Sequence, residues 1–139
     1  HHPEHLCLIS NSGLVAGDMV AGIGTILIPP GQGNMMTYID QLERLLDLDP
    51  HLIFPSHGPV IPLPSRTLEH YIRHRSIRHD KVLAAVEEGN SELNVIAKIA
   101  YQDTPDAHPG LAVDQTLSHL LSHEKDGKVM RVDGGWVRT

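Results

Sequence analysis

The 139-residue sequence has a single cysteine, Cys7, so no internal disulfide can form and the usual mark of a secreted framework is missing. That points to a cytoplasmic protein, with Cys7 read as a small buried hydrophobe in the strand-like run Leu6–Ser10. Aromatic residues make up only 4%, so the core must rest on Leu, Ile and Val. No apolar run approaches the roughly 18–20 residues of a membrane-spanning helix, and no membrane is expected among the partners. A basic excess is also lacking. The net charge is −6; residues 1–79 hold five Lys/Arg against seven Asp/Glu, and residues 80–139 hold six against ten. Neither half offers the electropositive surface that a nucleic acid requires of a whole domain.

What is plentiful is histidine, with eleven residues. Packing does not require so many, and imidazole is the commonest transition-metal side-chain ligand. His1 and His2 have a competing reading as the remnant of a purification tag, since they stand at the terminus. The remaining composition, 40% hydrophobic and 20% charged, is that of an ordinary globular domain.

Leu6–Ser10 and Leu14–Ala16, separated by Asn11-Ser12-Gly13, predict a β-hairpin, buried because both faces are apolar. The Gly- and Pro-rich segment 21–36 predicts a long loop around a short strand, Thr25–Ile28. Apolar residues at helical spacing predict a helix over about 37–48, and Leu52–Phe54 reads as a buried strand. A long helix follows from an N-cap at Ser65 to about Glu88, with Leu68, Ile72, Leu83 and Val86 inward. Arg73, His74, Arg75, Arg78 and His79 are assigned to its outer face, as a solvated row or, alternatively, a substrate-facing basic edge. After Gly89-Asn90 come a helix capped by Ser91, a second helix from about Leu111 to Lys125, and a hairpin turning at Asp133-Gly134. The second helix has an apolar seam of Val113, Leu117, Leu120 and Leu121. Helix, helix and hairpin is the order of a winged-helix module.

Three sets of candidate ligands stand at strand ends or in tight loops: the cluster His1-His2-Pro3-Glu4-His5, Asp18 after Gly17, and His57 between Ser56 and Gly58. Strand ends hold side chains rigidly while leaving them open to a cleft. Imidazoles with one carboxylate suit zinc, with iron or manganese as alternatives. A bridging carboxylate would hold two cations about 3.5–4 Å apart. In a loop, isolated Asp and His residues are more often merely polar.

The strings His1-x-Pro-Glu-His-Leu-Cys-Leu, Ala16-Gly-Asp-Met-Val, Gly22-x-Gly-Thr and Pro55-Ser-His-Gly-Pro-Val-Ile resemble, in order and interval, successive motifs of the metallo-β-lactamase superfamily. The run Tyr71-Ile-Arg-His-Arg-x-x-Arg is similar to the branch that includes β-lactamase-like protein 2. The resemblance implies an α+β chain: the C-terminal half of an αββα sandwich over residues 1–88, then a small winged-helix-like domain over residues 89–139. It implies that His1 ligates the first of two metals, zinc by default, that Asp18 bridges both and is the catalytic carboxylate, and that His57 ligates the second. His5 matches a recurrent non-ligand position and His2 a variable one. Ser56 stands where the family has Gly, which puts the backbone torsion of that loop in question.

Nothing in the chain matches the family's upstream motif, His-x-His-x-Asp-His. The expectation is therefore a piece of a longer protein, inactive alone, whose N-terminal half supplies the missing ligands. The complete protein would use a metal-bound hydroxide to hydrolyse an ester, thioester or phosphodiester. Single-stranded RNA is the substrate favoured by the narrower resemblance, and a hydroxyacylglutathione-type thioester is the rival. A reading of another class makes residues 89–139 an interaction module, with oligomerisation or buttressing as its simpler roles.

Overall fold

The computed structural model describes residues 1–139 as an α+β chain with four helices and two small sheets. Strands β1 (Leu8–Ser10) and β2 (Gly13–Gly17) form the expected hairpin, and β3 (Ile53–Pro55) pairs parallel to β2, giving the order β1-β2-β3. Helices α1 (Met35–Asp47) and α2 (Pro64–Glu87) cover one face of this sheet. Alternation along β2 decides which residues that face buries: Leu14 and Ala16 are in the core, whereas Val15 points the other way and is exposed.

The hairpin is not buried on both faces. Leu8 is 67% exposed and Ile9 54%, because β1 is an edge strand and only one face of the sheet is covered. Cys7 is half-buried, its thiol reaching the Ala16 carbonyl at 3.6 Å. Thr25–Ile28 forms no strand. Its backbone groups bond to side chains instead of a neighbouring strand. α1 is capped by Asn34, whose side chain accepts from the Thr37 amide at 2.8 Å. Ser65 does not cap α2; the helix opens at Pro64, where the missing N–H costs nothing.

Beyond α2 lie α3 (Leu93–Ala100), α4 (Pro109–Lys125) and the hairpin β4 (Val129–Val132) with β5 (Gly135–Arg138). The hairpin turns at Asp133 and Gly134, both with positive φ, as a two-residue turn requires. Two apolar cores result. One lies under the three-stranded sheet; the other joins Val82, Ala85 and Val86 of α2 to Ile96, Ala100, Leu120, Val129 and Trp136. α2 contributes to both.

The expected outer face of α2 is largely buried. Arg75, Arg78 and His79 are almost fully buried, at 2%, 3% and 6% exposure, and only Arg73 and His74 face solvent. α3 and α4 pack against that side of α2 and enclose it. Arg78 donates to the Ala100 carbonyl and to Asp103, and its guanidinium lies over the Tyr101 ring at 4.1 Å. Asp103, bonded by Lys81 and Arg78, is held well below the usual carboxylate range. α4 departs similarly. Of its expected seam only Leu120 is fully buried, while the polar Gln115, Thr116, Ser118, His119, Ser122 and His123 are inside. That helix lies between the second core and the 25–28 segment, so two of its faces are covered.

Candidate metal centre

Asp18 follows directly on β2, and β3 delivers Pro55-Ser56-His57 beside it: the Ser56 amide bonds the Gly17 carbonyl at 3.0 Å. The loop carrying His57 is then fixed from the far side, where the Gly22 amide bonds the His57 carbonyl at 2.8 Å. This contact depends on Gly58. Its φ is +81°, and a Cβ there would sit 2.6 Å from the Ile23 nitrogen. The left-handed residue is therefore Gly58 and not Ser56, so a Ser is accommodated at position 56 without strain in φ. Gly58→Ala is expected to cost about 2–4 kcal/mol, through left-handed strain and displacement of the 22–23 backbone. Denaturant unfolding measures it, and a change within about 0.5 kcal/mol would contradict this account.

One imidazole approaches each oxygen of Asp18. His57 Nε2 lies 3.3 Å from Asp18 Oδ1, and His1 Nε2 lies 3.9 Å from Oδ2. Two donors bound at about 2.0–2.1 Å to one tetrahedral zinc lie about 3.3–3.4 Å apart. The His57–Asp18 pair has that spacing, and the His1–Asp18 pair is wider. Asp18 Oδ1 is buried and accepts no hydrogen bond, so a carboxylate oxygen is left without the partner that burial normally demands. His1 Nδ1 contacts the Leu27 carbonyl at 3.0 Å. A carbonyl can only accept, so Nδ1 carries the proton and Nε2 presents its lone pair toward Asp18.

His5, expected as a non-ligand, bonds the Ala16 carbonyl through Nε2 at 2.9 Å and packs edge-on to His1. Its ring lies where a Cβ on Gly17 (φ +55°) would fall, 2.5 Å away, so Gly17 is needed for this fit. His2 is not among the side chains beside Asp18. A groove of about 660 Å³ runs from His1, His2 and His5 past Cys7 to Tyr38 and Arg44, but neither Asp18 nor His57 lines it. The donor types, two imidazoles and one carboxylate, suit a divalent transition metal, while the set is incomplete. No three His, Cys, Asp or Glu side chains come together around one point.

The segment after Asp18 is held by two tyrosines to which the sequence assigned no role, although Tyr71 opens the branch motif. Tyr38 donates to the Met19 carbonyl at 2.7 Å, and the Tyr71 hydroxyl accepts from the Ala21 amide at 3.1 Å. The available signal was spacing: Leu68, Tyr71, Arg75, Arg78, Val82 and Ala85 recur at three and four residues, one continuous helical stripe.

No protein-family model matches the chain. It is 35% identical over 133 residues to the β-lactamase-like protein 2 homolog of Drosophila melanogaster, an alignment covering 93% of this chain and 44% of the relative. The Caenorhabditis elegans homolog of the same name is 28% identical over 132 residues, covering 93% and 43%. Two solved structures share the fold. A metallo-β-lactamase family protein from Thermus thermophilus superposes with a TM-score of 0.71 at 20% identity, over 91% of this chain and 42% of that one. A β-lactamase domain protein from Burkholderia ambifaria gives 0.77 at 22%, over 91% and 41%. The chain spans less than half the length of these proteins. With Asp18 set between His1 and His57, the chain is a relative of the β-lactamase-like protein 2 homologs and has the fold of the metallo-β-lactamase structures.

Proposed function

We propose that this chain is the C-terminal part of a two-metal hydrolase in which Asp18 bridges the ions, His1 completes its share of one and His57 its share of the other. The carrying observation is the Asp18 carboxylate, with one imidazole near each oxygen and Oδ1 buried without a donor. Zinc suits these ligands, with iron or manganese as alternatives. A bound pair of such cations supplies Lewis-acid activation of water and neutralises charge that develops on the substrate. Two donors per ion are fewer than the three or four that zinc sites use, so the remainder come from a His-x-His-x-Asp-His half outside residues 1–139. The open face of the sheet, with Leu6, Leu8 and Val15 exposed, is where that half would add its layer.

Single-stranded RNA is the substrate reading we favour. It draws on the exposed row Arg66, His70, Arg73 and His74 along α2. Thioester hydrolysis of the hydroxyacylglutathione type is the alternative within the enzyme class. Residues 89–139 act as a winged-helix-like buttress to residues 1–88 in this reading. Nucleic-acid binding through α4 draws no support, because its Gln115, Ser118, His119, Ser122 and His123 are packed inside. A cytoplasmic setting is proposed from the lone cysteine, and no helix is long and apolar enough to cross a membrane.

Metal content per chain tests the ligand assignment. Residues 1–139 are expected to retain almost no metal after dialysis, and the protein with the upstream motif to retain two ions. Two ions on residues 1–139 alone, or none on the longer protein, would overturn it.

A further inference from the structure

Gln115 of α4 is 5% exposed and reaches out of the C-terminal unit to clamp one residue of the metal-site segment. Its Oε1 accepts from the Ile28 amide at 3.2 Å and its Nε2 donates to the Ile28 carbonyl at 3.0 Å. Ser118, one turn on, donates to the same carbonyl at 2.6 Å. This is the pairing a neighbouring strand would have given Ile28, supplied by side chains. Gln115 is itself oriented. Arg75, 2% exposed, donates to Gln115 Oε1 at 3.1 Å, to Thr25 Oγ1 at 3.1 Å and to the Ile26 carbonyl. Because Oε1 takes hydrogen bonds from both Arg75 and Ile28, the amide cannot flip without losing both.

Between the clamped residues Ile26 and Ile28 lies Leu27, whose carbonyl accepts from His1 Nδ1 at 3.0 Å. The direction of that carbonyl therefore sets which nitrogen of His1 is bare and where it points. We infer that Gln115, held by Arg75, is a positioning residue for the metal ligand His1, acting through the Leu27 carbonyl across the junction between α4 and the 25–28 segment. The inference rests on the reading of His1 as a ligand. Carbonyl partners of ligating imidazoles fix tautomer and ring orientation, and their loss typically weakens metal binding 10–100-fold. It also gives α4 a task that a free-standing DNA-reading module would not have: its buried polar face is part of the scaffold of the centre.

The test uses the intact protein and reads the His1 imidazole by long-range proton–nitrogen NMR, with zinc affinity by competition against a chromogenic chelator. In the wild type, His1 is expected to be protonated at Nδ1 and to shift on adding zinc. Gln115→Met should mix the two His1 tautomers and weaken zinc about 10-fold or more, while Gln115→Glu, which still accepts from Arg75 and Ile28, should recover part of the loss. Ser122→Ala, buried on the same helix, should leave His1 unchanged. An Nδ1-bare His1 in the wild type would overturn the proposal even if Gln115→Met failed to fold. So would an unaltered tautomer and zinc affinity in a folded Gln115→Met protein whose wild type responds to zinc. A wild-type His1 that ignores zinc would overturn both this proposal and the ligand reading beneath it.

Discussion

Asp18→Ala is expected to lower hydrolysis by the full-length protein at least about 10³-fold, a loss at the upper end of that seen when one charge-stabilising group is removed from an active site. Asp18 is the side chain that both His1 and His57 approach, so its removal leaves the two imidazoles without a shared ligand. Bound metal should fall with activity. The metal-free fold should barely change, because Asp18 Oδ1 makes no hydrogen bond and its side chain is 34% exposed. Asp18→Asn separates charge from size: the amide keeps the volume and offers one neutral oxygen, so it should bind metal weakly and turn over slowly. Retained turnover in Asp18→Ala would remove Asp18 from the reaction. Lost activity with a lower unfolding midpoint would point to structural damage instead.

Acidification from pH 7.5 to 5 is expected to loosen the seam between α2 and α4 well before the sheet beneath α1. Three imidazoles meet there: His79 stacks on His123 with ring centroids 3.6 Å apart, and His79 Nδ1 faces His119 Nδ1 at 3.1 Å. Only one of those two Nδ1 atoms can carry a proton, since two N–H groups would otherwise meet head to head. His123 donates from Nε2 to the His79 carbonyl at 3.0 Å, which leaves its Nδ1 bare and without a partner. Burial pushes His79 down to about 3, helped by His123 and Lys128. Burial also holds His119 well below its ordinary value, with His79, Arg75, His123 and Arg78 adding to the effect. His123 is lowered as well, chiefly by burial, against the opposing His79 carbonyl and the more distant Asp126 and Asp80.

The unfolded chain takes up protons at these sites below about pH 6.5, and the folded chain does not. Stability is therefore complete above that pH and falls as pH drops toward the folded values. His79 alone contributes a loss of about 2 kcal/mol between pH 6.5 and 5. Asp103 acts in the same direction, but only where carboxylates protonate, at lower pH. Urea unfolding at pH 7.5, 6 and 5 would measure the slope, and amide exchange along α4 would locate it. Equal stability at pH 7.5 and 5 would mean the seam holds charged imidazoles that this packing does not accommodate.

Much of this protein is local and was legible in the residues. The hairpin around Asn11-Ser12, α1 with its apolar spacing, the Gly89 and Gly127 breaks and the Asp133-Gly134 turn are each set by neighbours within a few positions. The order of motifs also pointed to His1, Asp18 and His57, which the fold brings together from segments 17 and 39 residues apart. What could not be read was which side of an element another element would cover. Arg75 and Arg78 lie on the same stripe as Leu68 and Val82, yet their charge placed them in water until α3, α4 and the loop between them supplied the Ala100 carbonyl, Gln115 and Asp103 as partners.

The same limit hid the open face of β1 and the polar interior of α4, including Gln115 and the three imidazoles. The sequence by itself determined most of the elements, their order and the resemblance that singles out His1, Asp18 and His57. Only the tertiary structure decided which charges are buried, how Gly58 sets the His57 loop and why Ile28 bonds to a helix. The reason is physical: burying a charge or an amide costs several kcal/mol unless a partner arrives. In this protein the partners of Arg75 and Ile28 lie 40 and 87 residues away along the chain.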